Sequence, residues 1–255
     1  MVEQQVTITA LRGMPQVRPG DDLPGLLIAA LERMSLTPGD QDVLAVTQKI
    51  VSKAESRYLD LASVRPGERA SELAGITGKD PRLVEAILSE SAEVLRAKPR
   101  VLIAATHHGL VAANAGIDQS NLDGDGQERI LLLPKQPDQT AEQIKARIDA
   151  HFGVSIGVVI TDSMGRAWRL GTIGLAIGAA GLPSLLDQRG EPDMNGRPLE
   201  VTEIGFADGI AAAAVVAMGE AAEARPAALV RGLSWTAPAR PASDLVRPKR
   251  EDLFR

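Results

Sequence analysis

The apolar residues of this chain recur at two spacings, one typical of β-strands and the other of amphipathic helices. Runs rich in β-branched and small apolar residues predict strands at 6–10, 42–47, 101–106, 110–113, 130–133, 155–161, 172–180, 201–206 and 227–230. Apolar residues at helical spacing predict helices at 23–34, 48–55, 68–75, 81–89, 140–152 and 208–219. Strands and helices are therefore expected along the whole chain.

Two of these elements carry local detail. Thr140 and Gln143 form a capping-box pattern, so the helix is expected to begin there, and Gly153 is expected to end it. The strand at 172–180 is interrupted by glycines, which indicates that another part of the backbone approaches it closely.

The order of the elements bears on the fold class. Several strands follow one another between Glu93 and Leu133, so the chain lacks a regular βαβ rhythm and is expected to be α+β or mixed α/β. A Rossmann or P-loop fold is not expected, because neither glycine-rich phosphate-binding fingerprint is present. No linker divides the chain, so residues 1–255 are expected to form one unit, with 238–255 as a surface arm.

Composition excludes several classes of function. The chain has no cysteine, so disulfides and thiolate metal sites are excluded, and a metal ion must bind through oxygen or imidazole. Its 28 basic and 33 acidic residues give a net charge of -5, and aromatic residues are few, so no nucleic-acid partner is expected. No apolar stretch reaches the roughly 18 residues of a membrane span, and the first residues lack a signal-peptide pattern, so we expect a cytoplasmic protein without membrane association.

A polar loop follows the apolar run at 110–113. Asp118, within this loop, is a candidate ligand for a divalent cation such as Mg²⁺ or Mn²⁺, because these ions prefer carboxylate oxygens. Asx-type turns formed by Asp118, Ser120 and Asn121 explain the same residues equally well. The nearby Asp-Gly-Asp-Gly at 123–126 lacks the ligand spacing of an EF-hand, so a solvated turn is favoured over a calcium site.

A second group of polar residues follows the strand at 155–161. Asp162 and Ser163 come where the strand is predicted to end, and Arg166 and Arg169 follow in a basic loop that can hold phosphate or carboxylate oxygens. Structurally, Asp162 could instead form a local ion pair with Arg166. The functional interpretation is favoured, because charges placed directly after a buried strand are costly without a ligand.

A third group, at the start of the helix at 48–55, is Gln48, Lys49, Ser52 and Lys53. The lysines lie four residues apart on one helix face, where they suit phosphate groups, although an ordinary solvated face explains isolated lysines as well. His107 and His108 cannot point the same way on a strand, so at most one of them faces a site.

Three separated segments together resemble the family of coenzyme F420-0:L-glutamate ligases, and further short matches extend the resemblance from about residue 43 to 232. The segments are Val46-Thr-Gln-Lys-Ile-Val-Ser-Lys-Ala-Glu55, His108-Gly-Leu-Val-Ala-Ala-Asn-Ala-Gly-Ile-Asp118 with Ser120-Asn121, and Ile160-Thr-Asp-Ser-Met-Gly-Arg-Ala-Trp-Arg169.

The resemblance implies a two-lobed α+β protomer that forms a homodimer and uses GTP with Mg²⁺ or Mn²⁺, with K⁺ as a further candidate cation. It implies that a deazaflavin coenzyme, F420-0, is activated as an acyl phosphate and joined to L-glutamate. The catalytic residues would be Asp118, Asp162 and Arg166, with the two aspartates as metal ligands. Contacts to the nucleotide and other ligands would come from Gln48, Lys49, Ser52, Lys53, His108, Asn114, Ser163 and Arg169.

The chain departs from the family pattern at two places. Thr172-Ile173-Gly174 stands where the family has Gln-Thr-Asp, and Gly209 stands where an acidic residue usually follows Asp208. Glycine in a strand or at a helix start contributes no packing, so a functional difference in metal number or substrate is the favoured interpretation. The alternatives are a divergent enzyme acting on another small carboxylate or amine, and a non-catalytic module that binds nucleotide or coenzyme.

Overall fold

The computed structural model describes residues 5–119 and 128–252. Its strands are β1 (Thr7–Ala10), β2 (Val43–Thr47), β3 (Tyr58–Asp60), β4 (Ser91–Lys98), β5 (Val101–Thr106), β6 (Val111–Ala113), β7 (Arg129–Leu131), β8 (Gly157–Gly165), β9 (Thr172–Ala180), β10 (Leu185–Asp187), β11 (Glu203–Gly205) and β12 (Ala227–Arg231). Its α-helices are α1 (Leu23–Arg33), α2 (Gln48–Ala54), α3 (Glu68–Thr77), α4 (Pro81–Ser89), α5 (Pro137–Phe152) and α6 (Phe206–Met218). None of the helices in the described ranges is long and apolar enough to cross a bilayer.

The largest sheet has five strands in the order β1-β12-β2-β8-β9. Strands β2 and β8 run parallel with Thr47 opposite Thr161, and the other neighbouring pairs are antiparallel. The carboxyl ends of β2 and β8 therefore lie side by side, and α2 begins directly at the end of β2. Carboxyl ends of parallel strands are a common location for ligand-binding residues.

Helices cover both faces of this sheet. On one face, α1 and α5 bury large side chains such as Leu27 and Ile148 against Val158 and Ile160. On the other face, alanines of α6 such as Ala211 pack against small residues of β8 and β9. Burial of this apolar area, at roughly 25 cal/mol per Å², is the main force that holds the layers together.

A smaller lobe contains the remaining core. Helices α3 and α4 pack against the three-stranded sheet β4-β5-β6 and the pair β3-β7, around residues that include Leu73, Ile87, Leu102 and Ile130. The consecutive strands β4 to β7 confirm the expected break in the βαβ rhythm. The architecture is mixed α/β, as predicted, although β3, β4 and β10 are absent from the predicted strands.

The glycines of β9 explain how closely its neighbours approach. A Cβ atom on Gly174 would lie 2.5 Å from the carbonyl oxygen of Ala211 in α6, and one on Gly178 would lie 2.5 Å from that of Pro137 in α5. The predicted close backbone approach is confirmed, on both faces of the sheet. Glycine at 174 therefore does serve packing, which corrects the expectation that it would not.

The predicted start of α5 is wrong. The helix begins at Pro137 with no side-chain cap, and the Thr140 hydroxyl donates instead to Glu55 Oε1 (2.7 Å). Proline suits the first position of a helix because it has no N–H to leave unpaired, so the helix can start one turn earlier. The predicted end is confirmed, because Gly153 is the C-cap with φ 72°.

The segment 238–252 is anchored to the larger lobe near its start, and further along Lys249 pairs with Glu93 of β4 in the smaller lobe at 2.7 Å. Ala242 is buried, and the backbone N–H groups of Ala242 and Ser243 both donate to the Asp138 carboxylate at 2.7 and 3.2 Å. The Ser184 hydroxyl donates to the carbonyl oxygen of Pro241. These contacts fix the path of the segment.

Candidate functional site

A cleft of about 650 Å³ lies at the carboxyl ends of β2 and β8. Its walls are formed by the start of α2, the end of β6 with the turn that follows, the second half of β8, and the segment 218–226 after α6. The cleft brings together Asp118 and Asp162, which lie 44 positions apart along the chain. The parallel register of β2 and β8 is what places these elements at one edge.

Asp162 is the most enclosed carboxylate of the cleft. Burial raises its pKa from 3.8 to about 6, and the negative charge of Asp118 adds to this rise. The backbone N–H of Ser163 (2.8 Å), a hydrogen bond from the Gln48 side chain and the charge of Lys49 act in the opposite direction without cancelling it. The site therefore holds a carboxylate whose charge is only partly compensated by the protein.

The sequence predicts that the strand ends just before Asp162. In the structure, Asp162 instead lies within the strand. Strand β8 continues to Gly165, because it pairs with β9 as far as Gly165 opposite Thr172. The pairing has a register shift between Ile160 and Thr161. The extra residue is Ile177 of β9, because Ile160 faces Gly178 and Thr161 faces Ala176, so the bulge bends β9 opposite the part of β8 that precedes Asp162.

Asp208 supports β9 at that bulge. Its carboxylate, in the first turn of α6, accepts a hydrogen bond of 2.8 Å from the backbone N–H of Ala176. Burial raises the pKa of the Asp208 carboxyl. Asp208 is therefore a structural support of the strand that forms the cleft wall.

Asp118 faces Asp162 from the other wall. Its backbone pairs with Leu131 of β7 in both directions at 2.9 Å, and its Oδ2 lies 2.6 Å from Lys49 Nζ. The turn before it is left-handed, with φ 52° at Asn114 and 54° at Ala115. For alanine this conformation costs about 1 kcal/mol, which the packing of the smaller lobe must offset.

The start of α2 supplies one wall of the cleft. Gln48, Lys49 and Lys53 line it, and Gln48 binds the Asp162 carboxylate. Ser52 does not line it: the residue is fully buried, and its hydroxyl donates to Gln48 Oε1 at 3.0 Å. The predicted ligand contact of Ser52 is therefore not available in this arrangement, because no surface of the residue reaches the cleft.

The segment 218–226 contributes residues that the sequence did not indicate. Glu220 lies across the cleft and accepts hydrogen bonds from the hydroxyls of Ser163 (2.5 Å) and Thr172 (3.0 Å). Arg225 also lines the cleft and donates to the carbonyl oxygen of Ala217. The only sequence signal was an acidic and glycine-containing stretch after a helix, which is typical of many ordinary turns.

Besides Ser52, four further candidate residues lie outside the cleft. Arg166 donates to the carbonyl oxygen of Gly171 (3.1 Å) across the β8–β9 hairpin, and Arg169 is exposed in the same hairpin. His108 lines a separate pocket beside the anchored segment 238–252. Asn114 lies in the turn before Asp118, and its buried Oδ1 has no hydrogen-bond partner in the described part of the chain. The loop residues Ser120 and Asn121 lie outside the described residues.

Comparison with known proteins gives a consistent result. The sequence profile of the family described as F420-0:Gamma-glutamyl ligase matches residues 13–232. The protein from Methanothermobacter thermautotrophicus named Coenzyme F420:L-glutamate ligase is 42% identical over 255 residues, covering 98% of this chain and 99% of that protein. Proteins of the same name from Methanopyrus kandleri (41% over 245 residues, 94% of each chain) and Haloarcula marismortui (43% over 234 residues, 89% of this chain and 88% of that protein) are similarly related.

Proposed function

The chain belongs to the F420-0:gamma-glutamyl ligase family and is a ligase, and from this premise we propose that it joins L-glutamate to the carboxylate of F420-0 in the cytoplasm, using GTP and a divalent cation. The observation that carries the proposal is Asp162, an enclosed carboxylate with a raised pKa that lines a cleft of about 650 Å³. A cavity of this size accommodates a nucleotide-sized ligand.

The donor atoms of the cleft fit Mg²⁺ or Mn²⁺. Asp118 and Asp162 offer hard carboxylate oxygens, and a cation between them would offset their mutual repulsion. Within residues 5–119 and 128–252, no group of three or more His, Asp or Glu side chains has metal-ligand geometry. The remaining positions would therefore be filled by water and phosphate oxygens, as Mg²⁺ commonly prefers.

The other residues of the cleft suit a nucleotide triphosphate. Lys49 and Lys53 bring positive charge to the same wall, next to the aspartates. Lysine acts as a point charge for phosphate, so it can follow the γ-phosphate as it is transferred. Arg166 and Arg169 stay proposed ligand contacts, and a movement of the β8–β9 hairpin would be needed to bring them to the cleft.

The proposed reaction has two steps. A carboxylate oxygen of F420-0 attacks the γ-phosphorus of GTP, the bond to GDP breaks, and an acyl phosphate forms. The amine of L-glutamate then attacks the acyl carbon, phosphate leaves with the C–O bonding electrons, and the amine loses a proton as the amide forms. A divalent cation would supply charge neutralisation on the phosphates. No enzyme nucleophile is needed, so a chain without cysteine can perform both steps.

Mass spectrometry of the coenzyme tests the proposal directly. The protein should add glutamate to F420-0 in the presence of GTP and Mn²⁺ or Mg²⁺, and parallel reactions with ATP and with or without K⁺ define the nucleotide and monovalent cation. Asp118→Asn and Asp162→Asn should each abolish product formation. Asp187→Asn, which removes an exposed carboxylate paired with Arg189 away from the cleft, is the matched control and should stay active. An unchanged coenzyme mass with every nucleotide and metal would refute the proposal.

We also propose that the active form is a homodimer. Several large apolar side chains are almost fully exposed in the monomer, among them Trp168, Leu170, Met194 and Val201. Exposed apolar side chains that lie close together commonly mark protein interfaces, and Trp168 and Leu170 are two positions apart in the β8–β9 hairpin. Sedimentation velocity should give a dimer, and the double variant Trp168→Asp with Leu170→Asp should shift it towards monomer if the β8–β9 hairpin takes part.

A further inference from the structure

Ser52 lies one turn after Gln48 on α2, so the two side chains are neighbours on the same helix face. Both residues are buried, with exposures of 0% for Ser52 and 4% for Gln48. The Ser52 hydroxyl donates to Gln48 Oε1 at 3.0 Å. Serine inside a helix usually bonds to the backbone carbonyl four residues earlier, so this bond to a side chain is a specific arrangement.

This bond bears on which end of the Gln48 amide faces the cleft. The oxygen end is occupied by Ser52, and the nitrogen end donates to the Asp162 carboxylate. The two ends have nearly the same shape, so hydrogen-bond partners decide the orientation. With the amide reversed, its oxygen would face the ionised carboxylate and repel it. The present orientation satisfies Ser52, Gln48 and Asp162 together.

The Asp162 carboxylate is thereby held from two sides. Its Oδ1 accepts the backbone N–H of Ser163 at 2.8 Å, and the Gln48 amide binds it from α2. Asp162 also lines the cleft, so the lone pairs that these bonds do not use are available to a ligand there. Groups that orient metal-binding side chains through hydrogen bonds commonly change metal affinity 10- to 100-fold when removed.

We propose that Ser52 is a positioning residue, whose hydroxyl orients the Gln48 amide and through it holds the Asp162 carboxylate ready for a divalent cation. The inference rests on the proposed function, because a cation at Asp162 is part of it. It assigns Ser52 a role in support of the site in place of the ligand contact expected from the sequence, and it separates Ser52 from the lysines that flank it in α2.

The chain offers a matched control in Ser184. This serine is also fully buried, and its hydroxyl also makes one hydrogen bond, to the carbonyl oxygen of Pro241 away from the cleft. Ser52→Ala and Ser184→Ala therefore remove the same group from equally buried positions. A merely structural serine lowers stability when replaced, whereas only a positioning serine also changes the metal affinity.

The experiment measures binding of Mn²⁺ alone, from the electron paramagnetic resonance signal of the free ion, for the full-length wild type and both variants. Ser52→Ala should weaken Mn²⁺ binding about 10-fold, and Ser184→Ala should leave it unchanged, with both variants losing thermal stability in EDTA. Ser52→Cys keeps the shape of the side chain, with a larger atom that is a weaker donor, so the Mn²⁺ affinity of this variant should lie between those of wild type and Ser52→Ala.

Equal Mn²⁺ affinity for wild type, Ser52→Ala and Ser52→Cys would overturn the proposal, and so would the same loss in Ser184→Ala. If Ser52→Ala does not fold, Ser52→Cys decides. If the wild type binds no Mn²⁺, the metal site of the proposed function fails, which is a different result. In that case, a crystal structure of metal-free Ser52→Ala decides the positioning role. A turned Gln48 amide with a displaced Asp162 carboxylate supports that role, and an unchanged Gln48–Asp162 pair refutes it.

Discussion

Replacing Asp162 with asparagine should make the metal-free protein more stable near neutral pH, although the same change should abolish activity. Burial and the charge of Asp118 raise the pKa of Asp162 to about 6, which means that the folded state disfavours the ionised carboxylate. Near neutral pH the wild type carries this cost, and asparagine has no charge to bury.

The sign and the size of this stability change follow from the pKa of Asp162 in the unfolded chain and its pKa in the folded protein. The stability that this group contributes is fully present below 3.8, the pKa in the unfolded chain, and it is lost as the pH rises through the folded-state pKa of about 6. The difference corresponds to at most about 3 kcal/mol. Between about pH 5 and pH 8, the advantage of Asp162→Asn over wild type should grow by about 1.4 kcal/mol. A weakened hydrogen bond to Gln48 subtracts about 1 kcal/mol at every pH.

Urea unfolding in EDTA, followed at both pH values for wild type and variant, measures this growth. Asp187→Asn is a control of opposite sign, because Arg189 lowers the pKa of the Asp187 carboxyl to about 2, and its removal should give no gain at the higher pH. An advantage of Asp162→Asn that is the same at both pH values, or that shrinks as the pH rises, would refute the account of Asp162 as an uncompensated carboxylate.

Three further substitutions test the surroundings of the cleft. Lys49→Met should lower stability in EDTA by about 1–3 kcal/mol, because Asp118 loses the ammonium group 2.6 Å away. Mn²⁺ should restore much of the lost stability, so an equal fall in Tm with and without Mn²⁺ would contradict the prediction. Gly174→Ala should lower stability by about 1–3 kcal/mol, because the new Cβ would lie 2.5 Å from the Ala211 carbonyl oxygen, and an unchanged urea midpoint would exclude the clash. Gly209→Ala should raise stability by about 0.5–1 kcal/mol, since it is exposed in α6 with no atom within 4 Å of the new Cβ, and a lower midpoint would count against it.

Gly174 and Gly209, the two glycines that depart from the family pattern, therefore have different surroundings, and only one of them has a structural explanation. Gly174 lies where β9 touches the backbone of α6, so an aspartate there would require the helix to shift. Packing in this chain accounts for the absence of a carboxylate at this position, and the change of metal number expected from the sequence stays a prediction. Gly209 has open space around it, and nothing in the structure explains why it is not acidic.

The sequence located the metal candidates because each follows an abrupt change from apolar to polar residues. That signal is local, and it identified Asp118 and Asp162 without any knowledge of the pairing of β2 with β8. The extension of β8 to Gly165 depends on Thr172, which is distant from the apolar run, so Asp162 was expected at a strand end. The start of α5 was missed because Thr140 bonds to Glu55, 85 positions away.

The parts of the site that could not be predicted depend on contacts between distant segments. Glu220 follows a helix in an ordinary-looking turn, and only the folded chain brings it to Ser163 and Thr172. Ser52 matched a phosphate-binding pattern by its position among lysines, but the pattern does not show which side of the helix is buried. Arg166 and Arg169 have the right chemistry, and in this structure they belong to the hairpin outside the cleft.

The parallel pairing of β2 with β8 has a consequence for how the protein acquires its activity. The paired segments, Val43–Thr47 and Gly157–Thr161, are separated by more than one hundred residues, including the whole smaller lobe. Contacts of such sequence separation pay a large loop-closure entropy and tend to form late in folding. During synthesis, Lys49 and Asp118 leave the ribosome before Asp162 does, so the smaller lobe can fold while the cleft does not yet exist. The cleft, and with it the proposed cation site, is therefore one of the last parts of the molecule to form as the chain folds.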